Sequence, residues 1–251
     1  MPAESPAPTS PLPLFHRNVV ALDATLHSKL RLDRNAGYGF AAAAHVVPLG
    51  LEEVEVAALY YPILLTGGES PIPVALVGVR EGQNLFVDRS GAWMPGQYVP
   101  AYLRAFPFLF VEDIEKGVRY VAIEAEAACL STERGQPMFD NGQPTPTLVE
   151  AISLSESLRN SLRQAAEWGK ALEGVDMLDE REATIDFIGG EKARIGGFRT
   201  VDPKKFQALP NDTFLTWRHR GWLAPVYAHL LSGGNWPSFI ELASNRPAVL
   251  Q

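Results

Sequence analysis

The stretch from Pro73 to Val111 constrains the fold of this 251-residue chain more than any other segment. Two apolar runs, PVALVGVR and NLFVD, are separated by a polar turn, which predicts a β-hairpin. The segment YVPAYLRAF predicts a short helix, because Pro100 suits a first helical position. A further apolar run, FPFLFV, predicts another strand. So many apolar segments in one short stretch predict that it forms the centre of the hydrophobic core.

Other strand patterns lie mostly before residue 130. Short apolar runs predict strands from Asn18 to Leu22, from Leu26 to Asp33, in PILLTG and in GVRYVAIEAEAACL. Between these runs, Leu51, Val54 and Tyr61 recur at helical spacing. They predict an amphipathic helix that ends at Pro62.

Helix patterns dominate after residue 145. The longest helix is predicted to start with Thr147 as N-cap and Glu150 three residues later, the spacing of a capping box, and to end at Gly174. The segment TIDFIGGEKARIGGFRTVD predicts a hairpin with Gly189–Gly190 at its tip. Asp202, followed by a proline, predicts the start of another helix. The segment FLTWRHRGWLAPVYAHLLSGGNWPSFIELA predicts one or two closing helices.

This order of elements predicts an α+β fold. We expect a strand-rich N-terminal half with a mixed or antiparallel sheet, and helices from the C-terminal half packed on it. Residues 1–13 contain five prolines and predict a disordered tail, because such a segment cannot bury enough apolar surface to offset its ordering entropy. Residues 14–246 are predicted to form a single domain.

Charge and composition exclude several classes of function. The chain has 29 acidic and 22 basic residues and a net charge of −7, which disfavours binding to nucleic acid or to an anionic membrane. A single cysteine, Cys129, excludes an intrachain disulfide. The chain lacks the apolar window of a membrane span and the pattern of a secretory signal. We therefore expect a cytoplasmic protein.

The residues that could carry catalysis form no recognisable motif. The five histidines are scattered, so neither a metal site nor a cofactor is predicted. Glu124 and Glu126 share one face of a predicted strand, which suits either an acid–base pair or a solvated sheet face. His229 lies in an apolar helix, where a hydrogen-bonded core histidine is typical. Cys129, flanked by apolar residues, is expected to pack as a small hydrophobic side chain.

Aromatic residues beside glycine and proline give the strongest indication of a binding surface. Trp93, Tyr98 and Tyr102 lie close together in the sequence, with Arg104 and Asp88 beside them. Aromatic rings on loops can contact a sugar, a peptide or a partner protein. The alternative is that these rings fill the core.

Several stretches resemble the bacterial SapC family. They are FHRNVVALD, GYGFAAAAHVVPL, YYPILL, PVALVGVREGQNLFVD, GAWMPGQYVPAYLRAFPFLF, PMFDNGQPTPTL, GGFRTVDPKKFQALP and LAPVYAHLLSGGNW. The resemblance covers roughly residues 15–242 and implies a link to surface-layer loci, to outer-membrane receptor genes and to flavin-dependent tryptophan-halogenase-like genes. It therefore implies a role in carbohydrate or nutrient uptake or in modification of a partner, and it transfers no catalytic residue.

Three hypotheses follow for the function. The first is an accessory or interaction protein without catalytic machinery, which binds a protein partner or a saccharide or peptide ligand through Trp93, Tyr98, Tyr102 and Arg104. The second is an enzyme acting on a peptide or saccharide, whose deep polar pocket unites at least three distant residues. Its candidates are Asp88, Arg104, Glu124 and His229. The third is a structural component of a surface layer. Self-association stays open.

Overall fold

The structure, a computed structural model, describes residues 12–113, 117–187 and 192–246. The strands are β1 (Val19–Ala21), β2 (Arg31–Leu32), β3 (Val46–Pro48), β4 (Ile63–Thr66), β5 (Pro73–Leu76), β6 (Phe108–Asp113), β7 (Val118–Glu124), β8 (Leu130–Ser131), β9 (Gln136–Pro137), β10 (Phe139–Asp140), β11 (Gln143–Pro144), β12 (Leu178–Asp186) and β13 (Lys192–Val201). The helices are α1 (Val54–Ala57), α2 (Ala101–Ala105), α3 (Pro146–Gly174), α4 (Pro203–Gln207), α5 (Asn211–His219), α6 (Leu223–Ser232) and α7 (Trp236–Asn245).

A five-stranded sheet forms the centre of the fold, with strand order β12-β13-β4-β5-β3. A second sheet has the order β1-β7-β6, and short strands form a third sheet, β8-β2-β9, and a small hairpin, β10-β11. All strand pairs in the described residues are antiparallel. The predicted α+β class is confirmed, with antiparallel sheets in the N-terminal half and helices in the C-terminal half.

The stretch from Pro73 to Val111 does contribute to the centre of the core. All four residues of β5 are buried, and the largest core cluster takes Leu85, Phe86 and Leu103 from the same stretch. The predicted hairpin between PVALVGVR and NLFVD is wrong, because β5 pairs with β3 and β4. The buried side chain of Asn84 instead donates to the Ala41 carbonyl and accepts from the Phe86 N–H, which fixes the second run without a regular strand.

Helix α3 connects two parts of the core. Near its start, Leu148 and Ala151 pack against the β6–β7 sheet, and near its end Trp168 and Leu172 pack in a cluster that includes Leu65 of β4. The helix ends at Gly174 as predicted, but its N-cap is Thr145 rather than Thr147. The hydroxyl of Thr145 accepts from the Leu148 N–H, and Pro146 takes the first helical position, where a missing N–H costs nothing.

Other sequence predictions hold only in part. The strand predicted from Leu26 to Asp33 is reduced to β2, because the carboxylate of Asp23 accepts from the N–H groups of Thr25 and Leu26 and forms a turn. The helix predicted after Leu51 begins as a 3-10 turn and continues as α1. Strands β12 and β13 form the predicted hairpin. Its tip, Gly189–Gly190, and the predicted tail, apart from residues 12 and 13, lie outside the described residues.

Candidate functional site

Helix α2 places two of the predicted site residues beside α3. Its residues Leu103 and Ala105 are buried in the core, whereas Arg104 is exposed and Tyr102 is partly buried. Pro100 is the residue before the helix rather than its first residue, and its carbonyl accepts from the N–H groups of Leu103 and Arg104. The helical spacing of three and four residues therefore sets which side chains of α2 point away from the core.

A buried carboxylate, that of Glu53, organises this region. One oxygen accepts from the Gly50 N–H at 2.9 Å, and the other accepts from the Tyr98 hydroxyl and the Ala101 N–H, both at 2.8 Å. Arg104 donates to the Tyr98 hydroxyl at 3.2 Å, and its guanidinium lies over the Tyr98 ring, 5.7 Å from the centroid. The start of α1, the loop before α2 and α2 itself are thus held in one network.

Tyr98 is fixed from both ends. Its carbonyl accepts a hydrogen bond from the Tyr61 hydroxyl, and its own hydroxyl lies between Glu53 and Arg104. Burial and the neighbouring Glu53 carboxylate raise the pKa of Tyr98 to about 12. The hydroxyl therefore stays protonated near neutral pH and acts as a hydrogen-bond donor to the carboxylate.

Two neighbouring cavities lie between α2 and α3, and Arg104 and Leu154 line both of them. The first has a volume of about 230 Å³, and its lining includes Glu52, Tyr98, Arg104, Leu154, Ser157 and Ser161. The second has a volume of about 210 Å³, and its lining includes Arg34, Tyr38, Phe40, Arg104, Phe106 and Leu154. We call the two together the α2–α3 groove. The shared residues give it the shape of an extended depression rather than one deep pocket.

Tyr102 lies beside the groove and not in it. It lines a separate cavity of about 200 Å³ with His16 and Phe106. Its hydroxyl faces the Leu14 carbonyl at 3.4 Å, and its ring meets that of Phe15 edge to face. Burial raises the pKa of Tyr102 to about 12. These contacts attach the chain near residue 14 to α2, so Tyr102 supports the surface more than it presents a ring to a ligand.

Neither Trp93 nor Asp88 is among the described residues that line the groove, although the Trp93 ring contacts that of Tyr38 edge to face. Trp93 is only 8% exposed and stacks on Phe86, so the expectation of an exposed ring is wrong at this position. Its hydrophobic neighbours in the centre of the core explain the burial. Asp88 accepts from the hydroxyl and the N–H of Ser90 and from the Ala92 N–H. The Ser90 hydroxyl and these N–H groups lower the pKa of Asp88, as expected for a carboxylate that closes a turn.

Glu124 and His229 each have a structural partner elsewhere. The Glu124 carboxylate accepts from the N–H groups of Arg17, Asn18 and Glu126, and it joins the chain before β1 to the end of β7. Burial opposes its charge, but these N–H groups outweigh burial and lower the pKa of Glu124. Among the described residues, neither cavity that Arg104 lines includes Asp88, Glu124 or His229. The four residues of the enzyme hypothesis therefore do not form a common pocket.

His229 is a core histidine between α6 and the central sheet. Its Nε2 accepts from the Val201 N–H at 3.1 Å, and its carbonyl accepts from the Ser232 hydroxyl, which in turn accepts from the Ile63 N–H. Burial lowers the pKa of His229 from 6.5 to about 4. The neutral ring is thus the form that the folded protein accommodates.

This shift predicts that acid weakens the fold. The unfolded chain binds a proton at His229 below pH 6.5, whereas the folded chain does so only near pH 4. The contribution of His229 to the free energy of unfolding is therefore complete above pH 6.5 and is lost as the pH falls towards 4. The expected loss is about 3 kcal/mol over this range. Urea unfolding at pH 7, 6, 5 and 4 would measure it in the wild type and in H229Q.

The matched control for this prediction is H45Q, since His45 is exposed. H45Q should keep the wild-type slope of unfolding free energy against pH, whereas H229Q should flatten it. Burial also lowers the pKa of His16, whose contribution remains in both variants and cancels from the comparison. Equal slopes for H229Q and H45Q would show that His229 is not the group responsible.

The family of the chain follows from the match to a known sequence profile. The profile of the SapC family matches residues 22–239 of the 251 residues. The chain belongs to the SapC family. Searches among curated proteins and among solved structures gave no significant match. In this SapC family member the matched range contains every residue that lines the α2–α3 groove, and it excludes His16 of the cavity beside it.

The described part of the SapC chain lacks two features. No helix there has the combination of length and apolar character that crossing a membrane requires. No group of three or more histidine, cysteine, aspartate or glutamate side chains is placed there to hold a metal ion. Cys129 is partly buried in the wall of the second cavity, and burial raises the pKa of its thiol to about 11. The thiol form, which is a poor nucleophile, therefore dominates near neutral pH.

Sequence reasoning identified Tyr98 and Arg104 but missed their partners in this SapC protein. Glu53 could have been found, because it lies three residues after Gly50 at a helix start, the spacing of the glutamate in a capping box. Arg34, Phe40 and the α3 residues of the groove carry no such local signal. They reach the groove only through long-range packing.

Proposed function

We propose that this SapC family member is a non-catalytic accessory protein of the cytoplasm, which binds a peptide segment of a partner protein in the α2–α3 groove. The observation that supports this most is the fixed pair of Tyr98 and Arg104 at the edge of the groove. Aromatic and arginine side chains contribute most to protein interfaces when they are held in place before binding. Here Glu53 holds both of them, directly and through the Tyr98 hydroxyl.

The shape and chemistry of the groove support an extended ligand. Two cavities in a row, sharing Arg104 and Leu154, suit a chain better than a single compact substrate. The first cavity offers the exposed hydroxyl of Ser157 beside the apolar side chain of Leu158, whereas the buried hydroxyl of Ser161 already accepts from the Glu52 N–H. A peptide can satisfy such a surface with its backbone groups and one or two side chains. The genes that the resemblance links to this family supply candidate partners, from nutrient-uptake receptors to halogenase-like enzymes.

Affinity capture from the native cell extract, with mass spectrometry of the bound proteins, tests the proposal. The wild type should retain a partner in a stoichiometric amount, and R104A should retain at least tenfold less, as expected for loss of an interface arginine. The matched control is R181A, which removes an exposed arginine from β12, away from the groove.

Each outcome of this experiment is informative once circular dichroism has shown that the variants are folded. Equal capture of the partner by R104A and the wild type would place the interface elsewhere. If the wild type captures no protein and instead holds a small molecule that it converts to a product, the enzyme hypothesis is favoured. A loss with both R104A and R181A would show that charge in general, rather than the groove, governs the interaction.

A further inference from the structure

The second cavity of the groove has a chemistry of its own. Arg34 and Arg104 both line it, and the aromatic rings of Tyr38, Phe40 and Phe106 form part of its wall. The remaining lining is mostly apolar and includes Leu32, Leu103 and Phe108. The cavity therefore combines two guanidinium groups with an apolar and aromatic surface. This combination suits a ligand that has one anionic end and one apolar end.

The charge around the cavity favours an anion. Among the described residues its lining contains two arginines and no carboxylate, although the whole chain carries a net charge of −7. Arg34 faces Glu150 at 3.9 Å, but both side chains are largely exposed, and such pairs contribute little. Arg104 is linked to Glu53 only through the Tyr98 hydroxyl. Neither Glu53 nor Glu150 is among the described residues that line this cavity.

The anchoring of Arg104 leaves part of its guanidinium for a ligand. Its Nε donates to the Val99 carbonyl at 3.0 Å and its Nη2 donates to the Tyr98 hydroxyl at 3.2 Å. These bonds fix the plane of the guanidinium, while Nη1 has no hydrogen-bond partner within the described part of the chain. A guanidinium held in this way can donate to a carboxylate with little loss of side-chain entropy.

The size of the cavity limits the ligand. An apolar cavity of about 150 Å³ is enough to hold a benzene ring. The second cavity, at about 210 Å³, can therefore hold one ring and a short anionic group, and it is below the size range of pockets for drug-sized molecules. Phe40 and Phe106 are stacked on each other with their centroids 4.0 Å apart, so a planar ligand can contact the ring surface that this stacking leaves uncovered.

We propose that the second cavity binds a small aryl carboxylate, with its ring against Phe40 and Phe106 and its carboxylate between Arg34 and Arg104. This site lies in the groove of the proposed partner binding and goes beyond that proposal, because it assigns a small-molecule ligand to the second cavity, which Arg34 and Phe40 line. A peptide that follows the whole groove would reach the second cavity as well, so a small molecule here would compete with the end of the peptide near Arg104. The site would thus let a metabolite change the affinity for the partner.

Isothermal titration calorimetry with phenylacetate tests the proposal. The matched probes are phenylacetamide, which keeps the ring and removes the charge, and acetate, which keeps the charge and removes the ring. Phenylacetate should bind at least tenfold more tightly than either. The variant R34Q should weaken phenylacetate binding at least tenfold and leave the weak binding of phenylacetamide unchanged, whereas R181Q should behave as the wild type.

A second readout uses the single thiol of the chain. Cys129 lies in the wall of the same cavity, so bound phenylacetate should slow its alkylation by iodoacetamide in the wild type and not in R34Q, measured in alkaline buffer where part of the thiol is ionised. Equal binding of phenylacetate and phenylacetamide, an unchanged affinity in folded R34Q, or no binding of phenylacetate at millimolar concentration would each overturn the proposal. Partner capture by the wild type separates the two proposals: if phenylacetate does not bind while the wild type still captures its partner, the aryl carboxylate site alone is overturned.

Discussion

The free energy of unfolding of the variant E53A is expected to be about 3 kcal/mol lower than that of the wild type. The Glu53 carboxylate accepts from the Gly50 N–H, the Tyr98 hydroxyl and the Ala101 N–H, and alanine leaves all three donors without this acceptor. Each donor that stays buried without a partner costs about 1–3 kcal/mol, and water entering the space recovers part of that cost. Urea unfolding at pH 7, followed by tryptophan fluorescence, measures the difference.

The neighbouring residue provides the control for this prediction. Glu52 is exposed, and among the described residues it is engaged only through its backbone N–H, which donates to the Ser161 hydroxyl at 3.1 Å. E52A should therefore unfold within about 0.5 kcal/mol of the wild type. The stability of E53Q should lie between those of E53A and the wild type, since its amide keeps one acceptor oxygen and replaces the other with a donor. An E53A variant as stable as E52A would show that the carboxylate does not hold the region together.

Loss of Glu53 also bears on binding. Without the carboxylate, the Tyr98 hydroxyl loses its acceptor, so one of the two groups that hold Arg104 is no longer fixed. E53A should therefore reduce partner capture even at a temperature where the variant is fully folded. R181A again serves as the comparison, because Arg181 is exposed on β12 and takes no part in this network.

The outline of the fold could be predicted from the sequence because it depends on local patterns. Apolar runs of four to six residues became β4, β5 and β6, and helical spacing with Gly174 at its end became α3. The pairing of strands was harder to predict. The hairpin assigned to PVALVGVR and NLFVD was wrong because β5 finds its partners in β3 and β4, and sequence neighbours do not reveal which distant strands share hydrogen bonds.

Part of the candidate site could be predicted because it, too, depends on residues that are close together in the sequence. Tyr98 and Arg104 are six residues apart, on either side of the start of a helix that the sequence predicted, and the structure brings them together. Glu124 and His229 were grouped with them only as titratable residues, and each one turned out to satisfy a backbone group in its own part of the fold. Trp93 shows that the local sequence does not separate a surface aromatic residue from a core one, since a ring beside glycine and proline can equally be buried.

The variant G169A is expected to lower the free energy of unfolding by about 3 kcal/mol. Gly169 lies on the buried face of α3, and a Cβ added there would be 1.7 Å from the Pro71 carbonyl oxygen and 2.8 Å from its carbon. The obstacle is backbone, so no side chain can rotate away. Either α3 must move from the sheet, or the chain entering β5 must shift, and both changes disrupt close packing around Trp168 and Leu172.

Gly174, in the same helix, is the matched control because a Cβ added there meets nothing within 4 Å. G174A should lose no stability and should gain up to about 1 kcal/mol, since alanine favours a helix more than glycine does. Urea unfolding of both variants measures the difference. Comparison of the slopes of unfolding free energy against urea concentration separates a loss of stability from a change in the unfolded state. Because α3 also forms one wall of the α2–α3 groove, G169A should weaken partner capture together with stability. A G169A variant as stable as G174A would mean that α3 packs on the chain before β5 less closely than this structure shows.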